Sequence, residues 1–318
     1  MEVYRRLPPP ERRRPCALTI GNFDGVHLGH QQMLARLGER ARARGLPVCV
    51  LTFEPHPREW FAAHPRPGTV PPAPPARIST ARDKLEALAA CGVDQVCIAH
   101  FNARFAAQPA EAFIADIVVE GLRTACLMIG DDFRFGAGRR GDFAMLEQAS
   151  QRFGFELMQQ PTIEYEGERI SSSAVRSALA NGEFERARTL LGRPYMLSGR
   201  IVHGRKLGRD LGFPTLNLPV RFMRPALHGV FVVQVHGLSG QPLPGVASLG
   251  TRPAVERNGA LVLEVHLLDF SQQVYGRRVG VEFLHKLRDE ADFPSLALLR
   301  AQIDRDVRQA RDWFAARI

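Results

Sequence analysis

The stretch Gly21-Asn22-Phe23-Asp24-Gly25-Val26-His27-Leu28-Gly29-His30 constrains this chain more than any other. An apolar run, Cys16 to Ile20, precedes it and has the length of a buried strand. After it, Met33, Leu34, Leu37 and Ala41 fit one helical stripe. The stretch therefore reads as a glycine-bearing turn between a strand and a helix. There the backbone can approach a polyphosphate, and the N–H groups and dipole of the helix start favour an anion. His27 and His30 are three apart, so both imidazoles reach one side of the first helical turn. They can donate hydrogen bonds to phosphate oxygens as charge shifts in a transition state.

The dinucleotide fingerprint needs G-x-G-x-x-G and the P-loop needs a Lys-Ser/Thr pair, and neither is met here. The pattern resembles the H-x-G-H signature of the nucleotidylyltransferase superfamily. Two nearby histidines alone would better suit a metal pair or plain surface residues. Their strand–helix context favours phosphate, with Gly21, Phe23, Asp24 and Gly25 as the binding turn.

From Cys16 to Thr162 strand-length runs alternate with helical patterns. The runs are Cys16–Ile20, Val48–Phe53, Gln95–Ala99, Ala125–Ile129 and Phe155–Gln159; the helical patterns are 30–44, 80–90, 110–119 and 143–152. Such alternation predicts a parallel sheet with helices on both faces, a Rossmann-like α/β domain that binds ligands at the carboxyl ends of its strands. Three further motifs fall at such ends. Thr52-Phe53-Glu54-Pro55-His56-Pro57 reads as a stiff turn holding His56, followed by a Pro-rich loop over 64–76. Gly130-Asp131-Asp132-Phe133-Arg134-Phe135-Gly136 offers Asp132 to a ribose, an adenine or a metal, and Phe133 and Phe135 to a planar ring. A glycine-rich surface loop with core phenylalanines is the plainer alternative. In Ile170-Ser171-Ser172-Ser173-Ala174-Val175-Arg176, Ser172 or Ser173 can cap a helix running to Ala180; the functional reading adds Arg176 closing over phosphates.

After Gly192 the pattern changes to short β-like runs separated by glycines: Tyr195–Val202, Gly229–Val235, Leu243–Leu249, Leu261–Phe270 and Val279–Leu284. These predict a small antiparallel barrel. A closing helix follows, opened by Pro294-Ser295 and striped with Leu296, Leu299, Ile303, Val307, Ala310 and Phe314. Gly199, Gly204, Gly208 and Gly212 lead into Phe213-Pro214-Thr215-Leu216-Asn217, and Arg205-Lys206 fail the Walker A pattern. In extended chain Thr215 and Asn217 point the same way, offering two oxygens to Mg²⁺ and a phosphate. Spacing alone favours a polar β-turn. In Leu261–Leu268 the alternation sets Glu264 and His266 on the face opposite the leucines. If that face lines a pocket, Glu264 could take a proton from an attacking hydroxyl.

With 318 residues and 45% apolar content, the chain suits two ordinary domains, divided here as 1–186 and 187–318. The net charge is +9, almost wholly from arginine; Lys84, Lys206 and Lys286 are the only lysines. Without a basic run interleaved with aromatics, this charge suits phosphorylated ligands better than nucleic acid as the primary partner. The leading segment with Arg5, Arg6 and Arg12 to Arg14 reads as a short mobile lead. Five cysteines without C-x-x-C spacing read as reduced thiols. No apolar leader and no apolar run of about 18 residues occurs, so no membrane partner and a cytoplasmic location are expected.

Taken together, these motifs resemble the prokaryotic bifunctional riboflavin kinase/FAD synthetases. From about Cys16 to Leu179 the likeness lies in G-x-F-D-G-x-H-x-G-H, F-x-P-H-P, G-x-D-F-x-F-G and I-S-S-x-x-V-R. It implies adenylyl transfer from ATP to FMN, with His27, His30, Asp132, Ser172, Ser173 and Arg176 as working residues. Ser173 stands where many relatives have Thr, and Asp132 where some have Asn. From Arg193 to Arg317 the likeness is to the riboflavin kinase module. It implies ATP and Mg²⁺ at Gly204, Gly208, Gly212, Thr215 and Asn217, a catalytic base at Glu264, and Arg288 and Glu290 in the stretch closing on the flavin. Ser248 and Ala254 depart from the usual Asn and Thr. Riboflavin, FMN, FAD and ATP are the implied ligands. Two other classes remain open at this stage: a nucleotidylyltransferase for a non-flavin substrate, and a non-catalytic flavin-binding protein.

Overall fold

The computed structural model describes residues 1–317 apart from 66, 67, 69, 71, 72, 205–207, 209, 210, 221–223 and 252–260. Arg205, Lys206 and Ala254 lie outside the described residues. Contacts divide the chain into two units, Met1–Pro75 with Lys84–Ser171, and Ala76–Asp83 with Ser172–Ile318.

The first unit is built on six strands: β1 Glu2–Tyr4, β2 Cys16–Ile20, β3 Val48–Glu54, β4 Gln95–His100, β5 Thr124–Gly130 and β6 Glu156–Gln160. All pair in parallel, in the order β1-β4-β3-β2-β5-β6. β2 is buried at all five positions, as a central strand covered on both faces must be. Helices α1 Leu28–Ala43, α2 Pro57–Ala63, α3 Ala81–Ala90, α4 Ala103–Ala106, α5 Ala110–Ala112 with the π-helical stretch Phe113–Gly121, and α6 Phe143–Phe153 connect them. Leu34, Leu37 and Ala41 bury against Ala17, Val50 and Met128 in one core layer. Leu18, Leu51, Leu127 and Phe113 lie in a second core layer. A short hairpin, β7 Glu164–Tyr165 and β8 Glu168–Arg169, precedes Ile170.

Strand order reverses at β2, which lies between β3 and β5. Parallel α/β sheets bind ligands at the carboxyl side of such a switch point. The turn from Gly21 leaves β2 there, and Gly130–Gly136 leaves β5 beside it.

The second unit holds α7 Ser172–Ala180, α8 Phe184–Leu191 and six antiparallel strands: β9 Met196–Arg200, β10 Leu216–Val220, β11 Gly229–His236, β12 Leu243–Thr251, β13 Leu261–Leu267 and β14 Arg278–Arg288. The order is β10-β13-β12-β11-β14-β9, and a Val202–Asn217 bridge brings the two ends together into a nearly closed barrel. Helix α9, Leu296–Ala315, packs Val307, Ala310, Trp313 and Phe314 on Val230, Val232 and Val246. Ser295 caps it, accepting from Leu298 N at 3.3 Å.

Three expectations need correcting. The arginine-rich lead is ordered: Glu2–Tyr4 adds an edge strand, and Pro10–Arg12 forms a 3₁₀ turn. The proline turn after β3 is the start of a helix: His56 caps α2, accepting from Arg58 N at 3.1 Å, while Glu59 accepts from His56 N at 3.2 Å. In α9 the apolar stripe buries only its later turns, and Leu296 is exposed.

Two candidate active sites

At the carboxyl end of β2 the backbone takes a course few side chains tolerate. Phe23 has φ 49° and Val26 has φ 43°. For a β-branched residue that region is an outlier, and strain of roughly 1–3 kcal/mol persists only where the surroundings enforce it. Here both side chains are fully buried in the core layer under the sheet. Gln31 Nε2 donates to the Val26 carbonyl at 2.9 Å. The turn thereby places His27 at the N-cap of α1 and His30 three residues on.

The two rings stack at 3.7 Å between centroids, and Phe23 leans on His30 at 4.7 Å. A Cβ on Gly29 would stand 3.1 Å from the His27 ring and 3.6 Å from the Ile170 carbonyl oxygen. The glycine is what admits both. His30 Nδ1 is buried and has no hydrogen-bond partner among the described residues. Burial first, then His27, then Lys84 hold the His30 imidazole well below its ordinary pKa, so it is uncharged at neutral pH. A buried polar nitrogen left unsatisfied costs about 1–3 kcal/mol. A phosphate oxygen would supply the missing partner. Asp24 is buried in the same turn.

Sequence reasoning passed over Lys84 and Thr52. Lys84 is 4% exposed, and its Nζ lies 3.3 Å from both the Asn22 carbonyl and Thr52 Oγ1. Thr52 itself donates to Asn22 O at 3.2 Å. A signal was present: Lys84 sits four residues before Leu88 on the buried face of α3, a charge at a core position.

After β5, Asp131 accepts from Thr162 Oγ1 at 2.6 Å, which draws its carboxyl below the usual range. Asp132 is exposed and pairs with Arg169 at 2.9 Å. Phe133 and Phe135 stack at 5.5 Å, but Phe135 is buried in the second core layer against Phe113. Only Phe133 keeps a partly open ring. Ser172, Ser173 and Arg176 open α7 in the second unit, where Arg176 Nε donates to the Ala76 carbonyl at 2.6 Å.

The second site is a row across the barrel. Asn217 on β10 faces Glu264 on β13, and Glu264 faces Ser248 on β12. Directly opposed residues share a face, so three polar side chains stand side by side. The β13 alternation puts Leu261, Leu263, Val265 and Leu267 in the core and Glu264 and His266 on this other face. His266 Nδ1 sits 2.9 Å from the Pro214 carbonyl and ties the preceding loop to the strand. Asn217 Nδ2 lies 3.3 Å from Thr215 O and 3.5 Å from Thr215 Oγ1. A Cβ on Gly204 would stand 2.4 Å from the Asn217 amide, and one on Gly208 2.4 Å from the Phe213 carbonyl. Gly212 takes φ 91° at the turn before them.

Glu290 reaches Ser248 Oγ at 3.4 Å and lies over Gly250, and burial raises its carboxyl above the usual range. Arg288 points elsewhere. Its Nε and Nη2 hold buried Asp306 at 3.0 and 2.8 Å, and its guanidinium lies 5.7 Å from the Phe293 ring centroid.

These two sites, one a nucleotidylyltransferase-type turn on a parallel sheet and the other a polar row on a small barrel, define a two-module nucleotide-dependent transferase. The comparisons give the same division. Residues 9–174 match the FAD synthetase family model and residues 191–314 the riboflavin kinase model. The bifunctional riboflavin kinase/FMN adenylyltransferase of Escherichia coli K12 is 50% identical over 94% of this chain and 93% of its own. That of Haemophilus influenzae is 47% identical over 99% of both. A crystal structure described as a macrolide-efflux protein from Streptococcus pneumoniae matches with TM-score 0.73 and 29% identity over 98% of both chains. The chain belongs to the bifunctional riboflavin kinase/FMN adenylyltransferase family. No helix among the described residues is long and apolar enough to cross a membrane.

Proposed function

We propose that the chain makes FMN from riboflavin and ATP in its barrel, and FAD and pyrophosphate from FMN and ATP at the His27–His30 turn. The observation that carries the first step is the Asn217–Glu264–Ser248 row, which sets a carboxylate between two neutral hydrogen-bonding side chains. There Glu264 orients the ribityl hydroxyl and takes its proton as the γ-phosphoryl of ATP is transferred. Gly204, Gly208, Gly212, Thr215 and Asn217 hold the nucleotide. The Asn217 cradle, which a Cβ on Gly204 would fill, suits a hard cation bound by Thr215 Oγ1 and the Asn217 amide oxygen. Mg²⁺ there would neutralise charge on the transferred group. Glu290 lies over the same face and contacts the flavin, and Arg288 holds the closing segment to α9.

In the second step an FMN phosphate oxygen attacks the ATP α-phosphorus, and pyrophosphate leaves. His27 and His30 donate to the oxygens that gain charge, which needs no proton uptake beforehand. Gly21, Phe23, Asp24 and Gly25 shape the turn. Asp132 reads the nucleotide, Phe133 supports the flavin side with Phe135 packed behind it in the core, and Ser172, Ser173 and Arg176 hold the leaving phosphates. Residues 1–186 are assigned to adenylyl transfer and 187–318 to phosphoryl transfer. Five free thiols suit a reducing, cytoplasmic setting.

A chromatographic time course with riboflavin, ATP and Mg²⁺ tests this. FMN should appear first, then FAD. Glu264→Gln should abolish FMN formation while FAD formation from supplied FMN survives, and His30→Ala should do the reverse. Loss of both activities in each folded variant would sink the two-site reading.

A further inference from the structure

Lys84 is a buried cation in a helix whose neighbouring face is otherwise apolar. Leu88, one turn on, is fully buried in the same core layer. Taking an ammonium group out of water costs several kcal/mol even after relaxation. Methionine or leucine would fill such a position at no such cost. Two oxygens stand 3.3 Å from Nζ, Asn22 O and Thr52 Oγ1. Their positions matter. Asn22 immediately precedes Phe23, the first left-handed residue of the strained turn, and Thr52 ends the buried run of the neighbouring strand β3. Thr52 Oγ1 also donates to Asn22 O, so the three groups close a triangle between α3, β3 and the turn.

We propose that Lys84 is a positioning residue for adenylyl transfer. From α3 it pins the Asn22 carbonyl against Thr52 and so fixes the turn that presents His27 and His30. It also supplies a fixed positive charge beside those rings for an incoming polyphosphate. This rests on reading the turn as the adenylyl-transfer site. Burial first, then the His27 ring, and then this charge disfavour a proton on His30. His30 therefore meets the substrate as a neutral donor, and the Lys84 ammonium carries the positive charge that attracts phosphate. A charge held near an anion site in a low-dielectric setting acts more strongly than it would in water.

The test uses the full-length chain, with FMN formation from riboflavin as an internal control on folding. Lys84→Met should lower kcat/KM for ATP in FAD formation about 100-fold, the cost of misplacing reacting groups by about 1 Å. FMN formation should stay within twofold. The His30 ring, followed by NMR and assigned through its loss in His30→Asn, should titrate at higher pH in Lys84→Met. Lys84→Arg should return most of the activity and the original titration. Thr52→Val removes one anchor and keeps the charge, so it should cost FAD formation about tenfold with His30 titrating as before. FAD formation within threefold in Lys84→Met would overturn the proposal. So would an unchanged His30 titration, or equal loss of both activities in both lysine variants. If His30→Ala itself leaves FAD formation intact, the failure lies with the site reading.

Discussion

Gly204→Ala isolates one contact in the barrel. The ideal Cβ would stand 2.4 Å from Asn217 Nδ2 and 2.6 Å from its Cγ and Oδ1, where ordinary contact begins at 3.4 Å. The amide must therefore retreat by about 1 Å, because the backbone at Gly204 does not have the positive φ that would itself oppose alanine. Asn217 is 5% exposed and tethered to Thr215, so it has little room to yield. Overpacking of this kind costs about 1–3 kcal/mol of stability. A displacement of about 1 Å at a group that positions substrate costs about 100-fold in rate, or roughly 2.7 kcal/mol of transition-state stabilisation. Initial rates of FMN formation and of FAD formation from supplied FMN, measured on the same preparation, read the effect. The first should fall about 100-fold and the second should not change. FMN formation within twofold of the parent would refute the assignment of Asn217 and Gly204 to the phosphate site. Parallel loss of both reactions would show that the change is global.

Asp306→Ala leaves Arg288 without its two-oxygen partner at a largely buried position, so unfolding of the barrel should cost about 3 kcal/mol less. The urea midpoint followed through kinase activity should drop by about 1–2 M, and a shift worth under about 0.5 kcal/mol would mean the pair is worth no more than a surface contact. Glu290 has a folded pKa raised by burial, so its ionised form costs stability above that pKa, and the cost disappears as pH falls below its unfolded value. Glu290→Gln should raise the melting temperature at neutral pH, with the gain vanishing near pH 4; a gain independent of pH would contradict it. Burial pushes Cys97 up to about 12 and Cys126 up to about 11. At pH 8 an alkylating reagent should therefore modify the half-buried Cys91 first and spare these two until the protein unfolds, which peptide mapping would read directly.

The strand–helix alternation of the first half was legible because each buried parallel strand is a continuous apolar run and each helix carries one stripe. β1 was not: Glu2-Val3-Tyr4 has no apolar run, and it is a strand only because β4 offers an open edge. α2 hid behind two prolines that read as a turn, although proline at the first helical position is compatible with a helix. The His27–His30 turn was legible whole, since its glycines and histidines are contiguous. The barrel site was only half legible. Glu264 stood out through period-two alternation within one strand. Its neighbours Asn217 and Ser248 come from strands 47 and 16 residues away, and register between strands is set by pairing that no single segment encodes. Lys84 was missed for a related reason: a lysine on a helix reads as solvated unless the partner face is known.

Glycine works the same way at both sites, and this explains why neither matches a P-loop. In a P-loop glycines free backbone N–H groups to cradle phosphate. Here Gly29 admits the His27 ring beside the Ile170 carbonyl, and Gly204 admits the Asn217 amide. At each point the missing Cβ positions a side chain. The spacing of these glycines then follows which side chain must be seated, and a phosphate-cradle pattern has no reason to appear. Such a site is also modular: each glycine governs a group in one unit only. A methyl group at either position should therefore silence one reaction and spare the other, whereas a damaged phosphate cradle common to both reactions would silence them together.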